Sequence, residues 1–341
     1  MCADHVRSGL RFALQQIAKV GQLTQNLDSG VGMKNFIGQL ARSLVFGGVL
    51  LMGLGMTQAR ACQQTISGVN GQWQQYEKDE FVLQYSLTGD HALQFPADTR
   101  KQGVPDVVAD VALQLVAMRD VLAHLKFQLP LESTRYQLQG ARRILVRFRS
   151  LDGGTGRAYD EVHQSLPGEC VLLMDISNRY RSGNLTPAHE LFHLVQYGYT
   201  MFKRAWFLEG MARWSETLLG KRTAVVREVP EDEASLEAIW NDGYGAVSAW
   251  YGLIGQCGRE PHRVVLPESV LALQYSTGKP VVEDEMAPGY GYIRKVLEEL
   301  SALDKTVGAR DGHPAYRWKE RDQKARRYDA EIWKAAVKAC I

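Results

Sequence analysis

Residues 186–193 read Thr186-Pro187-Ala188-His189-Glu190-Leu191-Phe192-His193, and a short way downstream comes Trp206-Phe207-Leu208-Glu209-Gly210-Met211-Ala212-Arg213-Trp214-Ser215-Glu216. Thr186 is a competent helix cap and Pro187 suits a first helical position, so a helix is expected to start here. On it His189 and His193 stand four residues apart, one turn, and project from the same face. Two neutral imidazoles in that relation supply half of a tetrahedral zinc site. Glu190, beside the first histidine, then faces the open side of the ion, where a carboxylate can take a proton from water that the metal acidifies. The plain alternative is a chance match on a buried helix whose histidines merely pack.

A third ligand raises the argument above the five-residue pattern. Fifteen residues, Leu194 to Leu208, separate His193 from Glu209, enough for a helix to end, turn and return. Glu209 is the expected third ligand, on a second helix whose Gly210 and Ala212 are small, as a close helix–helix approach requires. Glu216 lies seven residues on, along the same helical face. It is read either as a partner that orients a histidine or as a solvated charge. Gln196, three residues after His193, is read as structural, and His124 as a packed or surface histidine.

On these residues the chain resembles the gluzincin metallopeptidases. Phe207-Leu208-Glu209-Gly210-Met211-Ala212-Arg213-Trp214-Ser215-Glu216 is similar to the W-L-x-E-G-x-A segment of their aminopeptidase N-like branch, whose glutamate is the third zinc ligand. The resemblance covers about residues 186–216. It implies a zincin-like fold, with His189, His193 and Glu209 on the metal and Glu190 as general base. The spacer is a few residues shorter than that branch has, and nothing in the chain matches an exopeptidase signature, so aminopeptidase activity does not follow. Arg213 stands where the thermolysin-like branch carries an aspartate. Related enzymes donate to the oxyanion from a downstream tyrosine or histidine. Tyr244, in Asp242-Gly243-Tyr244-Gly245-Ala246, resembles that tyrosine, with Tyr251 and Tyr292 as rivals.

Upstream of the motif the patterns are those of a sheet. Glu80–Leu87 alternates like a strand, Ile144–Phe148 and Cys170–Ile176 are apolar runs of strand length, and Val104–Phe127 repeats at helical spacing, opening at Pro105 or Asp106. Asp152-Gly153-Gly154-Thr155-Gly156 is a turn, or alternatively a strand edge open to substrate; it lacks the Lys-Ser/Thr of a phosphate loop. Downstream, helices are expected over residues 187–197, 207–219, 234–240, 245–255 and 293–303, then a charged amphipathic tail. Strands first and helices afterwards give an α+β class, an N-terminal part with a mixed sheet plus the active-site helix, the sheet over about residues 62–185 and the mainly helical part over about 186–341.

The 341 residues carry 40 Lys+Arg against 38 Asp+Glu, so no whole-chain field draws nucleic acid or an anionic membrane. Lys34 and Arg42, the uncharged run Ser43–Met56 and the small-x-small Ala59-Arg60-Ala61 form the three parts of a secretory signal peptide over residues 33–61. The run is too short to span a bilayer comfortably. Residues 1–32 are then an over-extended N-terminus. Cleavage after Ala61 leaves Cys62, Cys170, Cys257 and Cys340, an even set with three possible pairings. A lipid anchor at Cys62 is disfavoured by Arg60 and Ala59. The expectation is an exported, secreted or periplasmic, Zn2+-dependent hydrolase acting on a peptide or protein, without a stable membrane span. The rivals are a cell-wall amidase built from the same parts and a non-catalytic zincin-like binding or structural protein.

Overall fold

Seven strands make one mixed sheet: β1 Gln64–Thr65, β2 Trp73–Lys78, β3 Phe81–Ser86, β4 Arg143–Arg149, β5 Gly156–Ala158, β6 His163–Gln164 and β7 Cys170–Ser177. The computed structural model describes residues 62, 64–65, 72–165, 168–220, 229 and 232–340, which fall within one unit, Thr57–Ile341. The strand order is β1-β6-β7-β4-β3-β2, with β5 paired to β7 beside β6. β3, β4 and β7 run parallel, β2 is antiparallel to β3, β5 and β6 are antiparallel to β7, and β1 is parallel to β6.

Period-two alternation decides which side of this sheet becomes the core. Phe81, Leu83 and Tyr85 of β3, Ile144, Val146 and Phe148 of β4, and Leu172, Met174 and Ile176 of β7 face one way into the main apolar cluster. Val82, Leu145, Val171 and Leu173 form a small cluster on the reverse side. There Arg147 makes a two-pronged bond to the buried Asp175, at 2.7 and 3.0 Å.

Helices cover the core face. They are α1 Asp106–His124, α2 Thr134–Gln137, α3 Thr186–Tyr199, α4 Ala205–Ser215, α5 Glu233–Trp240, α6 Val247–Cys257, α7 Glu268–Leu271, α8 Tyr290–Asp311, α9 Glu320–Gln323 and α10 Asp329–Lys338. The class is α+β, strands lying mainly before helices, as the patterns required. α1 opens after Pro105 and leaves His124 exposed on its last turn. The glycine-rich stretch is a turn only as far as Thr155; Gly156 already belongs to β5. β1, β5 and β6, two or three residues each, carry too few alternating positions to be read in advance, and β2, with Gln74, Gln75, Glu77 and Lys78, is mostly polar and exposed.

The four cysteines pair as Cys62–Cys170 and Cys257–Cys340. The first ties residue 62 to the start of β7, and the second ties the end of α6 to the end of α10. No helix among the described residues is long and apolar enough to cross a membrane. Residues 1–32 and the leader at 33–61 lie outside the described residues.

Candidate metal centre

The helix that carries both histidines is started by distant groups rather than by the expected cap. Thr186 is its first residue; the preceding Leu185 occupies the cap position without a side-chain bond. Asn184 Oδ1 accepts the Thr186 N–H at 2.9 Å, Pro187 has no N–H, and the buried Gln114 Oε1, from α1, accepts the Ala188 N–H at 3.1 Å. His189 N–H reaches the Leu185 carbonyl, so every donor of the first turn is accounted for. Gln114 also donates to Tyr275 Oη and the Asn184 carbonyl, which fixes the start of α3 against α1.

Between α3 and α4 the chain reverses through Thr200–Arg204, and this turn is held from the C-terminal helices. Asp304 of α8 accepts the Met201 N–H at 2.9 Å, and the Gln323 carbonyl accepts that of Lys203 at 2.8 Å. Asp329 of α10 takes Arg204 Nε at 2.7 Å and Trp206 Nε1 at 2.6 Å. α4 then lies against α6 with no room to spare. A Cβ on Gly210 would stand 2.7 Å from Trp250 Cδ1, so only glycine permits the approach. That close packing carries the 3-10 turn Tyr244–Ala246, which leads into α6, up to Glu209.

His189, His193 and Glu209 meet in one place, their donor atoms all within 4.8 Å of one another. Glu209 Oε2 is 3.2 Å from His189 Nε2 and 3.6 Å from His193 Nε2. Four donors at zinc's usual bond lengths of about 2.0–2.1 Å stand about 3.3–3.4 Å apart along the edges of a tetrahedron. The two measured separations bracket that edge, so the residues fit a divalent ion of zinc's size and its preference for nitrogen and oxygen. Both rings are buried and meet edge to face, with centroids 4.7 Å apart.

Each ring is gripped at its far nitrogen. Glu216 Oε1 lies 2.9 Å from His189 Nδ1, and Arg213 Nη1 holds the same carboxylate at 3.2 and 3.3 Å. Glu216 is therefore buried against His189 and is not a solvated charge. Gln196 Oε1 lies 2.8 Å from His193 Nδ1. Burial opposes a charge on His189, but its bonds to Glu209 and Glu216 outweigh that and raise its pKa to about 9. Burial pushes the Glu209 carboxyl upward, yet the two imidazoles overcome it and hold its pKa well below the usual range. The pocket is one in which positive charge is strongly favoured at the imidazole–carboxylate junction.

Glu190 is 6% exposed and does not join the three donors. Burial raises its pKa, against the pull of His193 and His189, and the Ala158 N–H of β5 donates to it. β5 presses on it directly. A Cβ at Gly156 would lie 2.6 Å from Glu190 Oε1 and 2.5 Å from Thr186 Cγ2. Thr155 and Thr186 hydroxyls, 2.9 Å apart, close the same seam. On the opposite wall Tyr244, 60% exposed, stands with its ring 5.9 Å from that of His189. Its hydroxyl bonds Glu209; burial first, and then the Glu209 carboxylate, lift its pKa to about 12. Of its rivals, Tyr292 is buried with its hydroxyl on the Ala336 carbonyl.

The expected residues thus gather at one site: His189, Glu190, His193, Glu209, Glu216 and Tyr244. Two contributors were not assigned to the site in advance: Gln196, read as structural, and strand β5. An i, i+3 polar residue after a histidine is weak notice of the first, because the bond depends on side-chain direction. Comparison with protein-family models, with curated proteins and with solved structures found no match.

Proposed function

We propose that this chain is an exported, zinc-dependent metallohydrolase of the gluzincin kind on a zincin-like fold, cleaving amide bonds of peptides or proteins. The observation that carries the reading is the meeting of His189, His193 and Glu209 at tetrahedral-edge spacing, with the buried Glu190 carboxylate alongside. His189 and His193 would hold zinc through Nε2 and Glu209 through a carboxylate oxygen. When bound, the ion supplies Lewis acidity toward a substrate carbonyl and acidifies water. Glu190 accepts a proton from the attacking water as its oxygen bonds the carbonyl carbon. It then passes that proton to the leaving nitrogen as the C–N bond breaks, and the remaining water proton leaves the new carboxyl group for the amine, giving a carboxylate and an ammonium. Tyr244, exchanging its bond to Glu209 for the substrate, donates its O–H to the charge developing on the carbonyl oxygen.

Two disulfides are in keeping with an oxidising compartment. With its sulfur in the bond to Cys170, Cys62 has no thiol free for a lipid anchor.

The test is zinc content of the purified chain and cleavage of a generic denatured protein with and without chelator. Glu190→Gln should keep the metal and lose at least 100-fold in kcat, as expected for an essential general base. A fully active variant would remove Glu190 from the mechanism, and a metal-free, inactive wild type would leave only a binding or structural role.

A further inference from the structure

We infer that Gln196 is a positioning residue for the metal site, one side chain that sets both the tautomer of His193 and the seat of the helix bearing Glu209. The inference rests on the metal-centre reading above. Gln196 is completely buried, so its carboxamide can bond only to protein. Its two polar atoms have one neighbour each: Nε2 is 3.2 Å from the Leu208 carbonyl oxygen, and Oε1 is 2.8 Å from His193 Nδ1.

The Leu208 carbonyl decides how this amide lies, because a carbonyl only accepts. The NH2 group must therefore face Leu208, which turns Oε1 toward the imidazole. Oε1 only accepts as well, so the ring proton is placed on Nδ1. In the neutral ring that metal binding requires, His193 Nε2 then offers its lone pair to an ion shared with Glu209 Oε2, 3.6 Å away. At His189 the same result comes from Glu216, an anion that can accept from Nδ1–H in either orientation. Gln196 is neutral and ambiguous until the backbone of α4 orients it. In return it ties α3 to α4 at Leu208, the residue before the third ligand.

A merely space-filling glutamine would not need these two bonds to be made together. Removing the amide leaves the buried ring N–H without a partner, takes from the Leu208 carbonyl its second donor beside the helical one, and frees the imidazole to flip or change tautomer. The side chain lies between the second and third ligands and touches neither the proposed substrate nor the base, so its loss should be felt first in metal affinity.

The experiment is zinc affinity of the full chain, measured by competition with a chelating dye, for wild type, Gln196→Met and Tyr292→Phe. Methionine keeps the length and burial of glutamine but makes neither bond. Tyr292, also buried, donates its hydroxyl to the Ala336 carbonyl and has no contact with the three donors, so its loss serves as the structural control. Gln196→Met should bind zinc about 10- to 100-fold more weakly, while Tyr292→Phe stays within about threefold of wild type. Equal affinity of Gln196→Met and wild type would overturn the inference and leave the metal reading intact. Equal weakening in both variants would reduce it to general loosening, which also overturns it. A wild type that does not bind zinc would sink both readings. Ring nitrogen shifts of the histidine-labelled, zinc-loaded wild type give a check that needs no variant. His193 should bind through Nε2 with a slowly exchanging Nδ1–H, and binding through Nδ1 would refute the assignment.

Discussion

Replacing Gly156 with alanine tests whether the sheet edge holds the proposed base in place. The added methyl carbon would sit 2.5 Å from Thr186 Cγ2, 2.6 Å from Glu190 Oε1 and 2.7 Å from Glu190 Cγ. Ordinary carbon contacts lie at about 3.5–4.0 Å, so roughly 1 Å of separation must be found. Thr186 is fixed in the first turn of α3, and β5 is held by its ladder to β7. The part free to yield is the Glu190 side chain, which would also leave the Ala158 N–H. A misplacement of about 1 Å at a reacting group can cost on the order of 100-fold in rate. The variant should therefore lose about 100-fold in kcat, with KM and zinc content close to wild type, because the three atoms nearest the new methyl belong to Thr186 and Glu190 and none to the three donors. Steady-state hydrolysis of a quenched peptide, run beside metal analysis and circular dichroism, reads all three quantities. A kcat within threefold of wild type would refute the reasoning, as would a loss matched by loss of zinc.

Tyr244→Phe removes the hydroxyl but keeps the ring beside His189. It should lower kcat about 100- to 1,000-fold with little change in KM, and an unchanged kcat in the same assay would eliminate Tyr244 as oxyanion donor. Asp304 gives a prediction on stability. Burial raises its pKa to about 6 despite the bond from Met201 N–H. Since the folded chain binds this proton more tightly than the unfolded one, the contribution is full below about pH 4 and is lost as pH rises through about 6. Asp304→Asn keeps an acceptor for Met201 and cannot ionise. Denaturant unfolding should find it more stable than wild type by about 3 kcal/mol at pH 8, with the difference closing near pH 4.

The site was legible wherever one helix supplied the geometry. His189, Glu190 and His193 follow from one turn of α3, and the small Gly210 announced the close packing that Trp250 enforces. Glu216 was half legible: spacing put it on the right face, but its choice of His189 depends on how α3 crosses α4. Gln196 was read as structural because its importance lies in an acceptor twelve residues later, on another helix. Gln114 replaced Thr186 as a starting partner of α3 for the same reason, since its bond forms only after α1 meets α3, whereas Asn184 is a local acceptor two residues upstream. β5, three residues long, left no periodicity to detect, yet it supplies the N–H on Glu190.

The reversal between α3 and α4 carries a consequence for the order of events during synthesis. Its anchors are Asp304 and Asp329, which follow their partners Met201 and Arg204 by 103 and 125 positions. A nascent chain will have displayed both imidazoles and the acid that joins them well before either anchor has been translated. The bonds that hold the three donors in register therefore form only after that later stretch folds back, and the proposed hydrolytic centre would be completed only late in synthesis.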